Sequence, residues 1–158
     1  MQPLVVIDAD IIAYRCAAAS EKRSIIATHK VTGDQVDAKT RTEFKQSLKD
    51  ASEFFEWDIT DIQTPEPEAY CFHSINSMIG TITEACGTTQ NKLVLGGKEN
   101  FRLDIPLPSQ YKSNREDTQR PVLLLQAREY IKHKLKAEIS KGVEADDVLS
   151  IYAYEGFT

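Results

Sequence analysis

Leu4-Val5-Val6-Ile7-Asp8-Ala9-Asp10 decides the fold. Leu4 to Ile7 is a continuous apolar run rich in β-branched residues, the pattern of a short strand buried on both faces. It closes on two acids, and Ile11 to Ser20 then reads as a helix in which Ala17, Ala18 and Ala19 allow close packing. A strand buried on both faces belongs to a parallel sheet covered by helices. Open sheets of this kind place their sites at the C-terminal ends of the strands, where Asp8 stands. Asp10 reads as the N-cap of the helix, which leaves Asp8 as the acid available for chemistry.

Working outward, Lys92-Leu93-Val94-Leu95 is a second buried strand, ending at Gly96-Gly97. Between the two, Ile75, Met78, Ile79 and Ile82 recur at helical spacing within Ser74–Ala85 and predict a core-facing stripe. Pro121 suits the first position of a helix running through Leu124, Leu125, Arg128, Tyr130 and Ile131 to about Leu135. Ala137-Glu138-Ile139 is a short third strand feeding Gly142 and completes a β-α-β-α-β order. The expected class is α/β, a three-layer α/β/α arrangement around a mostly parallel sheet. Residues 22–70 read as an insertion on this core. In it, 24–31 and 35–41 flank Thr32-Gly33-Asp34-Gln35 as a β-hairpin. Residues 42–57 read as a helix or an irregular excursion, and 61–68, with Pro65 and Pro67, as a loop. His29 in the hairpin reads as structural.

The chain has 158 residues, enough for one domain with a proper core. Its 41% hydrophobic and 27% charged content excludes the low-complexity and membrane classes. The net charge of −5 hides an asymmetry. Residues 43–68 carry eight acids against Lys45 and Lys49, whereas 92–136 carry ten Lys or Arg against five acids. A basic face on an acidic protein can still steer a polyanion. Cys16, Cys71 and Cys86 show no C-x-x-C spacing and read as reduced core thiols. With no leader-like N-terminus and no apolar run of membrane length, a cytoplasmic protein is expected.

Gly142-Val143-Glu144-Ala145-Asp146-Asp147-Val148-Leu149 places three carboxylates in four residues. A helix from Ala145 would bury Val148, Leu149 and Tyr152 on one stripe and leave the acids in its first turn, where the macrodipole favours negative charge. Acids this close repel one another. A divalent cation with a taste for hard oxygen ligands, Mg²⁺ or Mn²⁺, relieves that repulsion. A solvated acidic helix start is the plainer alternative.

Three stretches, in order, resemble the 5′-nuclease family: flap endonucleases, the 5′-nuclease domain of bacterial DNA polymerase I and small phage 5′→3′ exonucleases. They are Val5-Val6-Ile7-Asp8 with Tyr14-Arg15, Phe101-Arg102 with Tyr111-Lys112-Ser113-Asn114-Arg115, and Gly142 to Asp147. The resemblance implies a PIN-like fold with an arch-like segment at about 101–121. It also implies metal-dependent hydrolysis of phosphodiesters near 5′ ends of DNA, flaps or nicked duplex, with RNA–DNA hybrid open. By similarity, Asp8, Glu144 and Asp146 would hold a first Mg²⁺ or Mn²⁺, with Asp147 reaching it through water or facing a second. Two ions about 4 Å apart can activate a water and stabilise the leaving oxygen. Lys112 and Arg115 would be the catalytic cations that neutralise the scissile phosphate. Tyr111 would stack on an unpaired base, and Arg102 and Arg120 would contact the backbone.

In two places the sequence departs from the family pattern. Gly96-Gly97 stands where the family carries an acid. The sequence ends at Thr158, before the family's Asp-x-Asp strand and helix–three-turn–helix. The expectation is therefore a nuclease domain that a C-terminal half or a second polypeptide completes. Two alternatives stay open: a catalytically incomplete nucleic-acid-binding module, and a degenerate nuclease fold that binds protein through its acidic 43–68 region.

Overall fold

The computed structural model describes residues 3–98 and 119–156. In chain order its elements are β1 (Leu4–Asp8), α1 (Ala9–Ala19), β2 (Glu21–His29), β3 (Gln35–Ala38) and α2 (Arg41–Ser47). After a 3₁₀ helix over Ala51–Glu56 come β4 (Trp57–Pro65), α3 (Glu68–Ala85), β5 (Gln90–Leu95), α4 (Leu124–His133), β6 (Glu138–Ile139) and α5 (Ala145–Glu155). The chain divides into two compact units, Glu21–Glu66 and the residues on either side of it.

The larger unit is α/β. Its sheet has the order β1-β5-β6, and both pairings are parallel. Ile7 and Leu93 are register partners, and with Leu95 they enter one buried cluster with residues of α1, α3 and α4. Side chains alternate along a strand. Val94 therefore points to the opposite face, and it is fully buried although it lies outside that cluster. Its register partners Asp8 and Glu138 share that face, where α5 packs on β1 and β5. Helices thus lie on both faces, but of the apolar run in β1 only Ile7 is buried, Val5 and Val6 are half-buried and Leu4 is exposed.

The helix stripes match their sequence periodicity. Ile75 and Ile79 of α3 are buried and Met78 and Ile82 pack at the cluster's margin. Ala127 and Ile131 bury one face of α4. Full burial of Ile75 or Ile131 is worth about 1.5–3 kcal/mol each. Phe72 stacks on Tyr130 at 4.3 Å, and Asn76 Nδ2 donates to the Tyr130 hydroxyl at 2.7 Å, fastening α3 to α4.

The smaller unit is an antiparallel sheet of order β3-β2-β4. Ile25 and Ala27 of β2 are buried with Phe44 of α2, and Phe54, Trp57 and Ile59 pack around them. The β2–β3 hairpin forms about the expected turn, where Gly33 takes φ 76°. His29 is structural: it meets the Trp57 ring edge-on at 4.9 Å and lies 3.4 Å from Glu56.

Three local expectations are corrected. Residues 57–65 are strand, so the loop expected from 61 begins only after Pro65. That proline is the last residue of an edge strand, where the missing N–H is tolerated. Pro121 does not open α4. It precedes a turn, and Leu124 N donates to its carbonyl at 3.2 Å. Cys16 and Cys71 are buried free thiols as expected, but Cys86, at the end of α3, is exposed.

Candidate functional site

Asp8 ends β1 and faces the α5 side of the sheet. Its Oδ1 accepts the Asp10 N–H at 2.9 Å, so Asp8 is the N-cap of α1. Asp10 is not, contrary to the sequence reading, because its side chain is drawn elsewhere. Burial pushes the Asp8 carboxyl above its ordinary pKa. The Ile11 N–H pulls it back, the charge of Asp146 raises it further, and Arg128 lowers it. The charge of Asp146, 138 positions away in the sequence, therefore reaches Asp8 at the C-terminal edge of the sheet.

Gly142 turns the chain between β6 and α5 at φ 70°, a conformation that favours glycine. Glu144 is the N-cap of α5. Its N–H donates to Asp147 Oδ2 at 3.0 Å, one half of a reciprocal capping box that occupies both Glu144 and Asp147. Asp146, between them in the first turn, is exposed.

Sequence reasoning missed the group beside Asp8. Asp10 Oδ2 accepts the Gly96 N–H at 2.6 Å, and Arg128 ion-pairs with Asp10 Oδ1. Arg128 Nη2 also donates to the Gly96 carbonyl at 2.7 Å. Burial lowers the Arg128 pKa, and the charges of Glu129 and Asp8 oppose that shift. Gly97 N donates to Ser140 Oγ at 2.8 Å, and Ser140 N to Leu95 O at 2.9 Å. The glycine pair has a packing reason. A Cβ on Gly96 would stand 2.8 Å from Asp10 Oδ2, and one on Gly97 would fall far inside contact distance of the Ser140 carbonyl oxygen. No acid can occupy position 97 in this backbone. The available signal was the Asp8-x-Asp10 pair, whose second acid has a glycine-lined seat at the end of the next strand.

The other expected site residues divide by location. Arg102, Tyr111, Lys112 and Arg115 lie outside the described residues, and Arg120 is exposed ahead of α4. Among the described residues, no group of three or more His, Cys, Asp or Glu side chains could hold a metal ion. Asp8 and Asp146 carry hard oxygen donors of the kind that divalent cations take. Mg²⁺ is commonly held by one or two carboxylates and retains waters. Glu144 and Asp147 each give a carboxylate oxygen to a backbone N–H in the capping box. Further along α5, Tyr152 joins Lys92 and Glu138. Its hydroxyl donates to Glu138 Oε2 at 2.7 Å, and Lys92 Nζ reaches Glu138 at 2.9 Å. This group ties the helix to the sheet. Comparison with family models, with curated proteins and with solved structures finds no match.

Proposed function

We propose that this chain is a PIN-like 5′-nuclease domain that hydrolyses phosphodiester bonds near 5′ ends of DNA with Mg²⁺ or Mn²⁺, in the cytoplasm. The observation that carries the reading is that the charge of Asp146 acts on Asp8 at the carboxyl edge of a parallel sheet. Asp8 and Asp146 would hold the ion, with Glu144 and Asp147 reaching it through water. The bound ion supplies Lewis-acid activation of the attacking water. Lys112 and Arg115 neutralise charge on the scissile phosphate, Tyr111 stacks on an unpaired base, and Arg102 and Arg120 hold the backbone. A C-terminal portion or second polypeptide would complete the second metal site.

A second reading, a nucleic-acid-binding module without cleavage, draws support from Gly97, which cannot carry an acid, and from the capping box that engages Glu144 and Asp147. One experiment separates the two. A 5′-labelled flap duplex is incubated with the chain and Mn²⁺ or Mg²⁺, beside Asp146→Ala, and run on native and denaturing gels. Cleavage lost in Asp146→Ala supports the nuclease. A shifted but uncut band supports the binding module, and neither shift nor cut removes both.

A further inference from the structure

The Arg128 guanidinium is held as a cation beside Asp10 and Asp8. It lies close enough to Asp8 for each to shift the other's proton affinity. Two contacts from different elements hold it, the Asp10 carboxylate of α1 and the Gly96 carbonyl after β5. A guanidinium has five N–H donors in a rigid fork, and these two contacts do not use them all. Its side chain remains 34% exposed.

A plain structural staple between α1 and α4 would account for the ion pair alone. It would not account for the placement. The pair stands at the carboxyl edge of the parallel sheet, where open α/β sheets bind ligands. Asp8 and Asp146 on their own repel a phosphodiester, and a pre-oriented guanidinium beside them offsets that repulsion without reorganisation. Arg is suited to this because its fork matches two phosphate oxygens at once.

We propose that Arg128 contacts a phosphate of the nucleic-acid strand directly, and that Asp10 is a positioning residue that aims its fork. The inference rests on the nuclease reading for its ligand, but the test of Arg128 itself reads binding and does not need cleavage. Binding of a fluorescent single-stranded oligonucleotide is followed by anisotropy in EDTA across a salt series, for wild type, Arg128→Met, Arg128→Lys and Asp10→Asn. Circular dichroism melts run in parallel.

Arg128→Met is expected to weaken binding about tenfold and to make the log Kd against log salt slope shallower by about 0.7, the share of one phosphate contact. Arg128→Lys keeps the charge, so it should retain the slope while losing affinity with the fork. Asp10→Asn should retain the slope too, while lowering Mn²⁺-dependent kcat more than it changes KM. If Arg128→Met unfolds the chain, Arg128→Lys carries the test through its affinity. A lowered melting temperature with wild-type affinity and slope in both Arg128 variants overturns the proposal and leaves a staple. That result with cleavage still abolished by Asp146→Ala refutes this inference alone. Wild type that neither binds nor cuts refutes the nuclease reading with it.

Discussion

Gly97→Ala adds one methyl group just past the end of β5, against the backbone just past the end of β6. The new Cβ would collide with the Ser140 carbonyl oxygen, which is backbone and cannot swing aside as a side chain does. The strand ends must part. Two hydrogen bonds are at stake, Gly97 N to Ser140 Oγ at 2.8 Å and Ser140 N to Leu95 O at 2.9 Å. Overpacking costs about 1–3 kcal/mol and each lost hydrogen bond about 1 kcal/mol, together about 3–5 kcal/mol. That is a large part of a typical domain's total of about 5–15 kcal/mol. In urea, with a slope of about 1–3 kcal/mol/M, the unfolding midpoint should fall by more than about 1 M. A midpoint within about 0.3 M of wild type would refute the close approach. It would also refute the conclusion that this backbone excludes an acid at position 97.

Other substitutions probe the rest of the molecule. Gly80→Ala, in the interior of α3 with open space around its Cβ, should gain about 0.4–1 kcal/mol by the same urea assay. Asp8 has a raised pKa in the fold, so its ionisation costs stability as pH rises through that value. Asp8→Asn keeps a good N-cap, and in EDTA it should melt higher than wild type at neutral pH. That advantage should vanish once pH falls below the ordinary carboxylate value of 3.8. Glu138 is held below its ordinary 4.5 by hydrogen bonds from Lys92 and Tyr152, and Lys92 above its ordinary 10.5 by Tyr152 and Glu138. The stabilisation is therefore complete between those values, and the melting difference between wild type and Glu138→Gln should disappear as pH falls below 4.5 or rises past 10.5. Phe44→Ala should cost about 3–5 kcal/mol within the smaller unit. It should also change the fluorescence of Trp57, whose ring meets Phe44 at 5.2 Å.

The α/β core was legible because its signals are strong and local. The apolar run of β1 is the pattern of a two-face-buried strand, and the Ile75/Ile79 stripe has one period only. For Glu138–Ile139 the order of elements, not its two residues, predicts a strand. The misreadings share a cause. Pro65 and Pro121 are punctuation whose effect depends on edge position and on the turn ahead, which only the pairing fixes. The Asp8 and Asp10 roles were exchanged because an N-cap is a local preference, whereas the attraction of Asp10 to Gly96 N and Arg128 is tertiary. Nothing in the spacing of Asp10, Gly96 and Arg128 along the chain announces that they meet. For the same reason Gly96-Gly97 read as a missing acid when it is a seat for one.

The acidic stretch at the start of α5 answers two physical demands with different residues. A helix N-terminus presents unpaired N–H groups, and the box of Glu144 and Asp147 satisfies part of them. Asp146 takes no part in the box, and its charge reaches Asp8 instead. Asp147→Ala should thus cost about 1 kcal/mol of stability in EDTA, the usual worth of a cap. It should keep most of the stabilisation that Mn²⁺ gives. Asp146→Ala should leave stability in EDTA unchanged or raised, since it relieves a repulsion, and should lose the Mn²⁺ effect. At an ion concentration of about 100 times Kd, that effect is about 2.7 kcal/mol, a shift of several degrees in a melt. Should Asp147→Ala instead remove the Mn²⁺ shift and leave the metal-free melt untouched, the division of labour is reversed. Asp147 would then be the ligand, and the box a conformation that the ion displaces.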